Sequence, residues 1–322
     1  MTENKTGISL KLVMLFSVVT GVLIVVGSLN DDATDVNGTQ AIAAAATAEY
    51  GGRLLRETVA LLGPDQADPE KRFTGNRLDC ASCHIDTGME PGTLSLLQSS
   101  TRYPRFSGRD GGERDLRDRI NGCMQRSMNG RPLARDSIEM VAMESYVLSL
   151  GQQYAAMGEG NRAPDEPPAF VEPQRKANIE AGRVVYEARC QICHGVNGEG
   201  LKKTSDISQG YLFPPLWGPD SFNNGAGMNR VLTAARFIKA RMPLGEATLS
   251  DDQAYDVSAY MNSKPRPIKE SLELDYPDLT LKPVDSPYPP YADSFTQEQH
   301  RLGPFAPIRE YYDNLNDVGN ER

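Results

Sequence analysis

Two pentapeptides decide the fold of this chain: Cys80-Ala81-Ser82-Cys83-His84 and Cys190-Gln191-Ile192-Cys193-His194. Both read C-x-x-C-H, in which two thiols bond covalently to a haem and the adjacent histidine becomes an axial ligand of the iron. A disulfide is the alternative for a C-x-x-C pair, but it does not explain why a histidine follows both motifs in a chain with only three. The motifs therefore predict two covalently bound haem c groups, with His84 and His194 as iron ligands.

Length and composition are consistent with two small haem domains. The chain has 322 residues, and a single haem domain needs only about 100. It contains 22 prolines and 29 glycines, which indicate long loops between helices. Its formal charge of -9 excludes nucleic acid as a general partner, because phosphate binding requires a basic surface.

Each haem iron needs a second axial ligand from downstream of its motif. For the second haem, Met242 is the candidate. Pro243 disfavours helix at Met242, and Ser250 then begins a capping box that opens a helix through Tyr260. This places the methionine on a loop before a closing helix, as in small c-type cytochromes. The alternative is that Met242 only fills the core.

The first half repeats this arrangement, so the sequence predicts an internal duplication. The stretch Asp136-Ser137-Ile138-Glu139 resembles a cap, and the helix after it reaches Tyr146 much as the later helix reaches Tyr260. Aligning these tyrosines puts Met128 at the ligand position of the first haem. The predicted fold class is all-α, with two tandem class I-like cytochrome c domains.

Cys123 is the one cysteine outside both haem motifs, and it lies five residues before Met128. It could be a buried, inert thiol. It could instead be a thiolate ligand of the iron, because cationic neighbours and metals stabilise the anion. The residues alone leave Cys123 and Met128 as alternative ligands of the first haem.

A local basic patch surrounds Cys123 in an otherwise acidic chain. For Arg114, Arg117 and the acids between them, intrahelical ion pairs on a solvated surface are the expected role. Arginine without lysine also suits the binding of oxoanions, because the guanidinium group binds them in a bidentate manner. Beside a haem with a thiolate ligand, the patch indicates a small anionic sulfur substrate. The stretch 101–135 contains no lysine, four acids and nine arginines: Arg102, Arg105, Arg109, Arg114, Arg117, Arg119, Arg126, Arg131 and Arg135.

The chain resembles the thiosulfate dehydrogenase family of dihaem c-type cytochromes from about Tyr50 to its carboxyl terminus. The most specific match is the stretch 119–130, Arg-Ile-Asn-Gly-Cys-Met-Gln-Arg-Ser-Met-Asn-Gly, followed by the proline-rich stretches 282–285, 289–293 and 303–305. The resemblance implies an oxidoreductase that couples two thiosulfates to tetrathionate, or runs the reaction in reverse. The electrons would leave through the second haem to an external acceptor, such as a soluble or membrane-bound c-type cytochrome.

The resemblance also implies the residues of the active site. It makes His84 and Cys123 the ligands of the catalytic haem, and Cys123 a transient carrier of sulfur as well. By motif position, Arg109, Arg119 and Ser127 would contact the substrate.

One position departs from the family. Some members have a lysine just before the methionine of the second haem, and this lysine can compete with the methionine for the iron. This chain has Arg241 there, and arginine stays protonated and cannot ligate iron.

The amino-terminal segment predicts export to the periplasm. Two lysines precede an uncharged, mostly apolar run at residues 12–29, which is either a cleaved signal peptide or an inner-membrane anchor. The predicted divisions of the chain are the signal or anchor at 1–30, a linker at 31–48, the catalytic haem domain at 49–160, a linker at 161–172, the electron-transfer haem domain at 173–262 and an irregular wrapping extension at 263–322.

Two rival functions follow from the same haem motifs. A pure electron-transfer cytochrome would need neither Cys123 nor the arginines. A dihaem peroxidase would need an open iron site with an acid-base residue. The one spare histidine, His300, is interpreted as an ordinary residue of the tail.

Overall fold

The computed structural model describes residues 46–320, with side chains as far as residue 315. The predicted signal or anchor segment, 1–30, and most of the linker at 31–48 lie outside the described residues. Residues 46–320 belong to one compact unit. Within them, we find no helix with the length and apolar character needed to cross a membrane.

Helices and loops make up most of the described chain, as the predicted all-α class requires. Two short antiparallel hairpins interrupt the helices. The hairpin strands are β1 (Arg105–Ser107) with β2 (Gly112–Arg114), and β3 (Leu201–Lys202) with β4 (Tyr211–Phe213). The helices are α1 (Ala48–Arg56), α2 (Thr58–Leu62), α3 (Leu116–Arg126), α4 (Ile138–Ala156), α5 (Ile179–Arg189), α6 (Gln191–His194), α7 (Val231–Arg241), α8 (Asp251–Asn262), α9 (Gln297–Leu302) and α10 (Ala306–Asn320).

A close crossing of α1 and α4 organises the first half. Gly51 of α1 lies against the backbone of α4, where a Cβ atom would be 2.0 Å from the carbonyl oxygen of Ala142 and 2.8 Å from the Cβ of Tyr146. Because glycine has no side chain, the two helix backbones can approach to this distance. Buried side chains of both helices then share one core, including Leu54, Leu55 and Met143.

The second half repeats this crossing with α5 and α8. A Cβ atom on Gly182 would lie 2.0 Å from the carbonyl oxygen of Asp256 and 3.0 Å from the Cβ of Tyr260. In both crossings the tyrosine follows the carbonyl residue by four positions. Tyr146 and Tyr260 are therefore equivalent, as the sequence repeat predicted.

Local sequence signals set the ends of the helices. Ser137 accepts a hydrogen bond from the backbone N–H of Met140 and begins α4. Ser250 and Gln253 form the reciprocal capping box expected before α8, which extends to Asn262. Helix α7 ends at Arg241, and Met242 is extended, as the following proline predicts.

The tail after residue 263 packs on the second half and also reaches the first. Phe305 and Ile308 are fully buried in a core shared with α7 and α8. Asp275 forms an ion pair of 2.7 Å with Arg126 of the first half. His300 is buried, with its ring nitrogens 2.8 Å from the Val284 carbonyl and 3.0 Å from Asp293 Oδ1. It is thus a structural residue of the tail.

The helix crossings generate a stability prediction. We expect Gly51→Ala and Gly182→Ala each to lower the free energy of unfolding by about 1–3 kcal/mol, because the added methyl group overlaps a carbonyl oxygen. Denaturant unfolding of the haem-loaded protein measures this. Gly112→Ala is the matched control, since a Cβ there meets no atom within 4 Å. Equal stability of all three variants would contradict this account of the crossings.

Candidate haem and substrate sites

A cavity of about 280 Å³ opens between α1, α3 and α4 in the first half. Apolar side chains make up much of its wall, and the polar groups that face it include two cysteines and a histidine. The lining residues include Leu55, Cys80, His84, Arg119, Cys123 and Met143. The first C-x-x-C-H motif and the extra cysteine are therefore brought together.

His84 is oriented by the loop that follows it. Its Nδ1 lies 2.7 Å from the carbonyl oxygen of Leu94 and donates to it. This hydrogen bond orients the ring and places Nε2 on the side of Cys123, where it can bind a metal. The ring is thereby prepared as an axial ligand.

The two cysteines of the motif are held as neutral thiols. Burial raises the pKa of Cys80 to about 12 and that of Cys83 to about 11. The hydroxyl of Thr58 donates to Cys80 Sγ at 3.4 Å, which lowers the pKa by less than burial raises it, and accepts from the Cys80 backbone N–H at 3.0 Å. Such sulfurs suit neutral thioether links to a haem edge.

Cys123, in the same site, has a lowered thiol pKa instead of a raised one. Burial raises the pKa of its thiol, but the charge of Arg119 and the hydrogen bond and charge of His84 outweigh this and lower the pKa to about 6. Nη1 of Arg119 donates to Cys123 Sγ at 2.8 Å, from one turn earlier on α3. The residue is therefore a thiolate at neutral pH and faces His84.

These residues fit a covalently bound haem. Cys80 and His84 of the motif line the cavity together with Cys123, and apolar side chains from α1 and α4 form part of its wall. No other described group in the first half combines these donors. Met128, the alternative ligand, is 3% exposed within the core and is absent from the cavity lining.

The second half contains the other motif in a similar setting. His194 Nδ1 donates to the carbonyl of Pro214 at 2.8 Å, and burial lowers the pKa of the imidazole, which favours the neutral form that binds metal. Burial also raises the pKa of Cys190 to about 11. Cys190 and Met242 both pack against the second core. These residues, with Cys193, fit a second haem with histidine and methionine ligands.

The arginines of the basic patch separate into several groups. Arg119 faces the cavity together with Arg102 and Arg105, which sequence reasoning did not single out. Their only sequence signal was membership of the patch. Arg114 and Arg117 form ion pairs with Asp110 at 3.0 Å and Glu144 at 2.6 Å. Both are ion-paired as predicted, but neither pair lies within one helix.

Arg109 and Ser127 lie away from the described cavity lining. The Nε of Arg109 is 3.4 Å from the hydroxyl of Tyr276 and 3.9 Å from Asp275, both in the tail. Ser127 ends α3, where its backbone N–H donates to the carbonyl of Cys123. Ser127 therefore contacts Cys123 through the backbone, whereas the contacts of Arg109 are with the tail.

Both halves of the chain match families of known proteins. Residues 70–155 match a family model described as SoxA/TsdA, cytochrome c domain, and residues 177–261 match one described as cytochrome C oxidase, cbb3-type, subunit III. The chain is 41% identical to a thiosulfate dehydrogenase of Stutzerimonas stutzeri over 61% of its own length and 62% of the relative. It thus spans less than two thirds of that relative.

Two further relatives extend the comparison. A thiosulfate dehydrogenase of Allochromatium vinosum is 41% identical over 68% of this chain and 77% of the relative. The solved thiosulfate dehydrogenase (TsdBA) of Marichromatium purpuratum aligns with a TM-score of 0.60 and 30% identity, covering 80% of this chain and 50% of that one. With both halves matched to cytochrome c domains, the chain belongs to the thiosulfate dehydrogenase family and carries two covalently bound haem c groups.

Proposed function

We propose that this chain is a thiosulfate dehydrogenase, which joins two thiosulfates into tetrathionate and passes the two electrons to an external acceptor. The observation that carries the proposal is the Cys123 thiolate, held by Arg119 at 2.8 Å and facing His84 in an arginine-lined cavity. A pure electron carrier needs no such thiolate. A peroxidase needs an open iron site, which Cys123 would block.

The proposed ligand pairs are His84 with Cys123 and His194 with Met242, each histidine being attached through its C-x-x-C-H motif. Each bound haem iron supplies a one-electron acceptor, so that together they can hold both electrons. Every other task falls to the residues of the chain.

The first task is to bring two dianions together. Like charges repel strongly in a site from which water is excluded. Arg119, Arg102 and Arg105 all face the cavity, and their fixed charges offset this repulsion. We propose that Arg109 adds positive potential from behind Arg119, and that Ser127 holds the end of α3 beside Cys123.

The second task is to carry sulfur, and we propose Cys123 as the carrier. Its thiolate and one thiosulfate form a sulfur–sulfur bond and release two electrons, giving a cysteine S-thiosulfonate with one negative charge. A second thiosulfate attacks the sulfane sulfur that is bonded to Cys123 Sγ; the bond to Sγ breaks, which releases tetrathionate and restores the thiolate. Atoms and charge balance without a proton, and a thiolate at neutral pH suits both steps.

The electrons are proposed to leave through the second haem to a soluble or membrane-bound c-type cytochrome in the periplasm. Export is supported by the basic and then apolar amino-terminal segment. Membrane anchoring through residues 12–29 stays a prediction, as do the domain limits at 49–160 and 173–262.

The attachment of the two haems can be tested separately. We expect the double variant Cys80→Ala, Cys83→Ala to keep one haem, and Cys190→Ala, Cys193→Ala to keep the other, because each pair supplies its own thioether bonds. Intact mass and haem absorbance measure the number of haems. Cys123→Ala is the control and should keep both, whereas loss of a haem from it would contradict the assignment.

The function is tested by oxidation of thiosulfate with ferricyanide as the acceptor. We expect the wild type to form tetrathionate, and Cys123→Ala and Cys123→Met to keep two haems but lose turnover, because neither can form the thiosulfonate. A wild type that neither oxidises thiosulfate nor reduces tetrathionate would favour the electron-carrier alternative. Full activity of Cys123→Met would make Cys123 a ligand only.

The role of Arg119 can be separated from general surface charge. We expect Arg119→Gln to lower kcat/KM for thiosulfate by about 100-fold, the typical cost of removing one fixed donor beside a reacting anion. Arg117→Gln on the same helix removes the same charge but faces Glu144, and should stay near wild type. Similar losses in both variants would indicate a nonspecific charge effect.

A further inference from the structure

Arg241 crosses from the second half of the molecule to a loop of the first. It is the last residue of α7, directly before Met242, and its side chain is 12% exposed. Nη1 donates to Glu90 Oε1 at 3.0 Å. Nη2 faces three backbone carbonyl oxygens, those of Pro91 at 2.6 Å, Glu90 at 3.2 Å and Thr93 at 3.4 Å.

The loop that Arg241 holds also orients His84. Leu94 directly follows Thr93, and its carbonyl accepts the hydrogen bond from His84 Nδ1 at 2.7 Å. Gly92 turns the loop with a φ of +98°, which a larger residue would adopt only with strain. The loop has one further anchor, since the Gly92 N–H donates to Asp165 Oδ1 at 2.7 Å.

The contact therefore joins residues next to both haem sites. Arg241 directly precedes Met242, and Thr93 directly precedes Leu94, whose carbonyl orients His84. We propose that Arg241 is a positioning residue that links the ligand environments of the two haems, so that its charge and position set both reduction potentials. The inference rests on the ligand pairs proposed above.

An arginine suits this task better than other side chains. Its planar fork presents several donors at once, and three of the four acceptors here are carbonyls whose directions are set by the loop. Two polar atoms at the contact, Arg241 Nε and Thr93 Oγ1, are buried without a hydrogen-bond partner in the described residues. A carboxylate of a bound haem has the chemistry to accept from both.

Because Arg241 is positively charged, the proposal predicts the direction in which its removal shifts each haem reduction potential. A nearby positive charge favours the reduced, more electron-rich form of a haem and so raises its reduction potential. We expect Arg241→Gln to lower the potentials of both haems. Glu90→Gln removes the opposite charge and should raise both, by less, because Glu90 is half-exposed and its charge is screened by solvent.

The experiment is a spectroelectrochemical titration of the dihaem protein. Absorption and electron paramagnetic resonance follow the thiolate ligation of the first haem and the methionine ligation of the second. Arg183→Gln is the control, since Arg183 lies two helical turns before Cys190 and pairs with Glu180 at 2.6 Å on the surface of α5. It should leave both potentials unchanged. A shift of both haems in Arg241→Gln, opposite in sign to that in Glu90→Gln, supports the link.

Any other pattern overturns it, including a shift confined to the second haem, which would mark a local effect on Met242. If Arg241→Gln does not accumulate with two haems, Glu90→Gln decides alone, and unchanged potentials in that variant reject the proposal. No thiosulfate is used, so the result is independent of whether the protein turns over thiosulfate.

Discussion

Each half of this protein depends on one constraint: a glycine on the first helix meets a backbone carbonyl on the last. At Gly51 and at Gly182 the approach is so close that a Cβ atom would lie 2.0 Å from a carbonyl oxygen. In the first half the crossing also builds the cavity, because Leu55 of α1 and Met143 of α4 line it. The haem motif, the following loop and α3 then close the remaining sides.

The cavity of the first half controls the charge of its sulfur atoms. Burial acts on Cys80, Cys83 and Cys123 in the same direction, raising the pKa of each thiol. Only Cys123 has a guanidinium group one helical turn away, and this charge, together with His84, reverses the effect. Two neutral sulfurs and one thiolate therefore coexist in one site, which suits haem attachment by the first two and ligation or sulfur chemistry by the third.

The two halves and the tail are joined by buried arginines. Arg241 ties the end of α7 to the loop beside His84, and Arg126 pairs with Asp275 of the tail at 2.7 Å. Asp275 also lies 3.9 Å from Arg109, which draws that arginine away from the cavity. These contacts explain how one compact unit contains two haem sites and why the proline-rich tail accompanies them.

The sequence alone determined what depends on short spacing. The haem motifs, the caps at Ser137 and Ser250 and the end of α7 before Met242 are local, because neighbouring residues carry the whole signal. The hydrogen bond from Arg119 to Cys123 also joins residues four apart on one helix, but only the structure revealed it. For the ligand role of Cys123, the resemblance to a family had to be added to the spacing.

Only the tertiary structure decided which arginines face the cavity. Arg102 and Arg105 line it, whereas Arg109 turns to the tail, because its partners Asp275 and Tyr276 lie more than 160 residues away in the sequence. The link from Arg241 to the loop at residues 90–93 spans about 150 positions. No periodicity or motif records such contacts, since they arise when separate segments fold against one another.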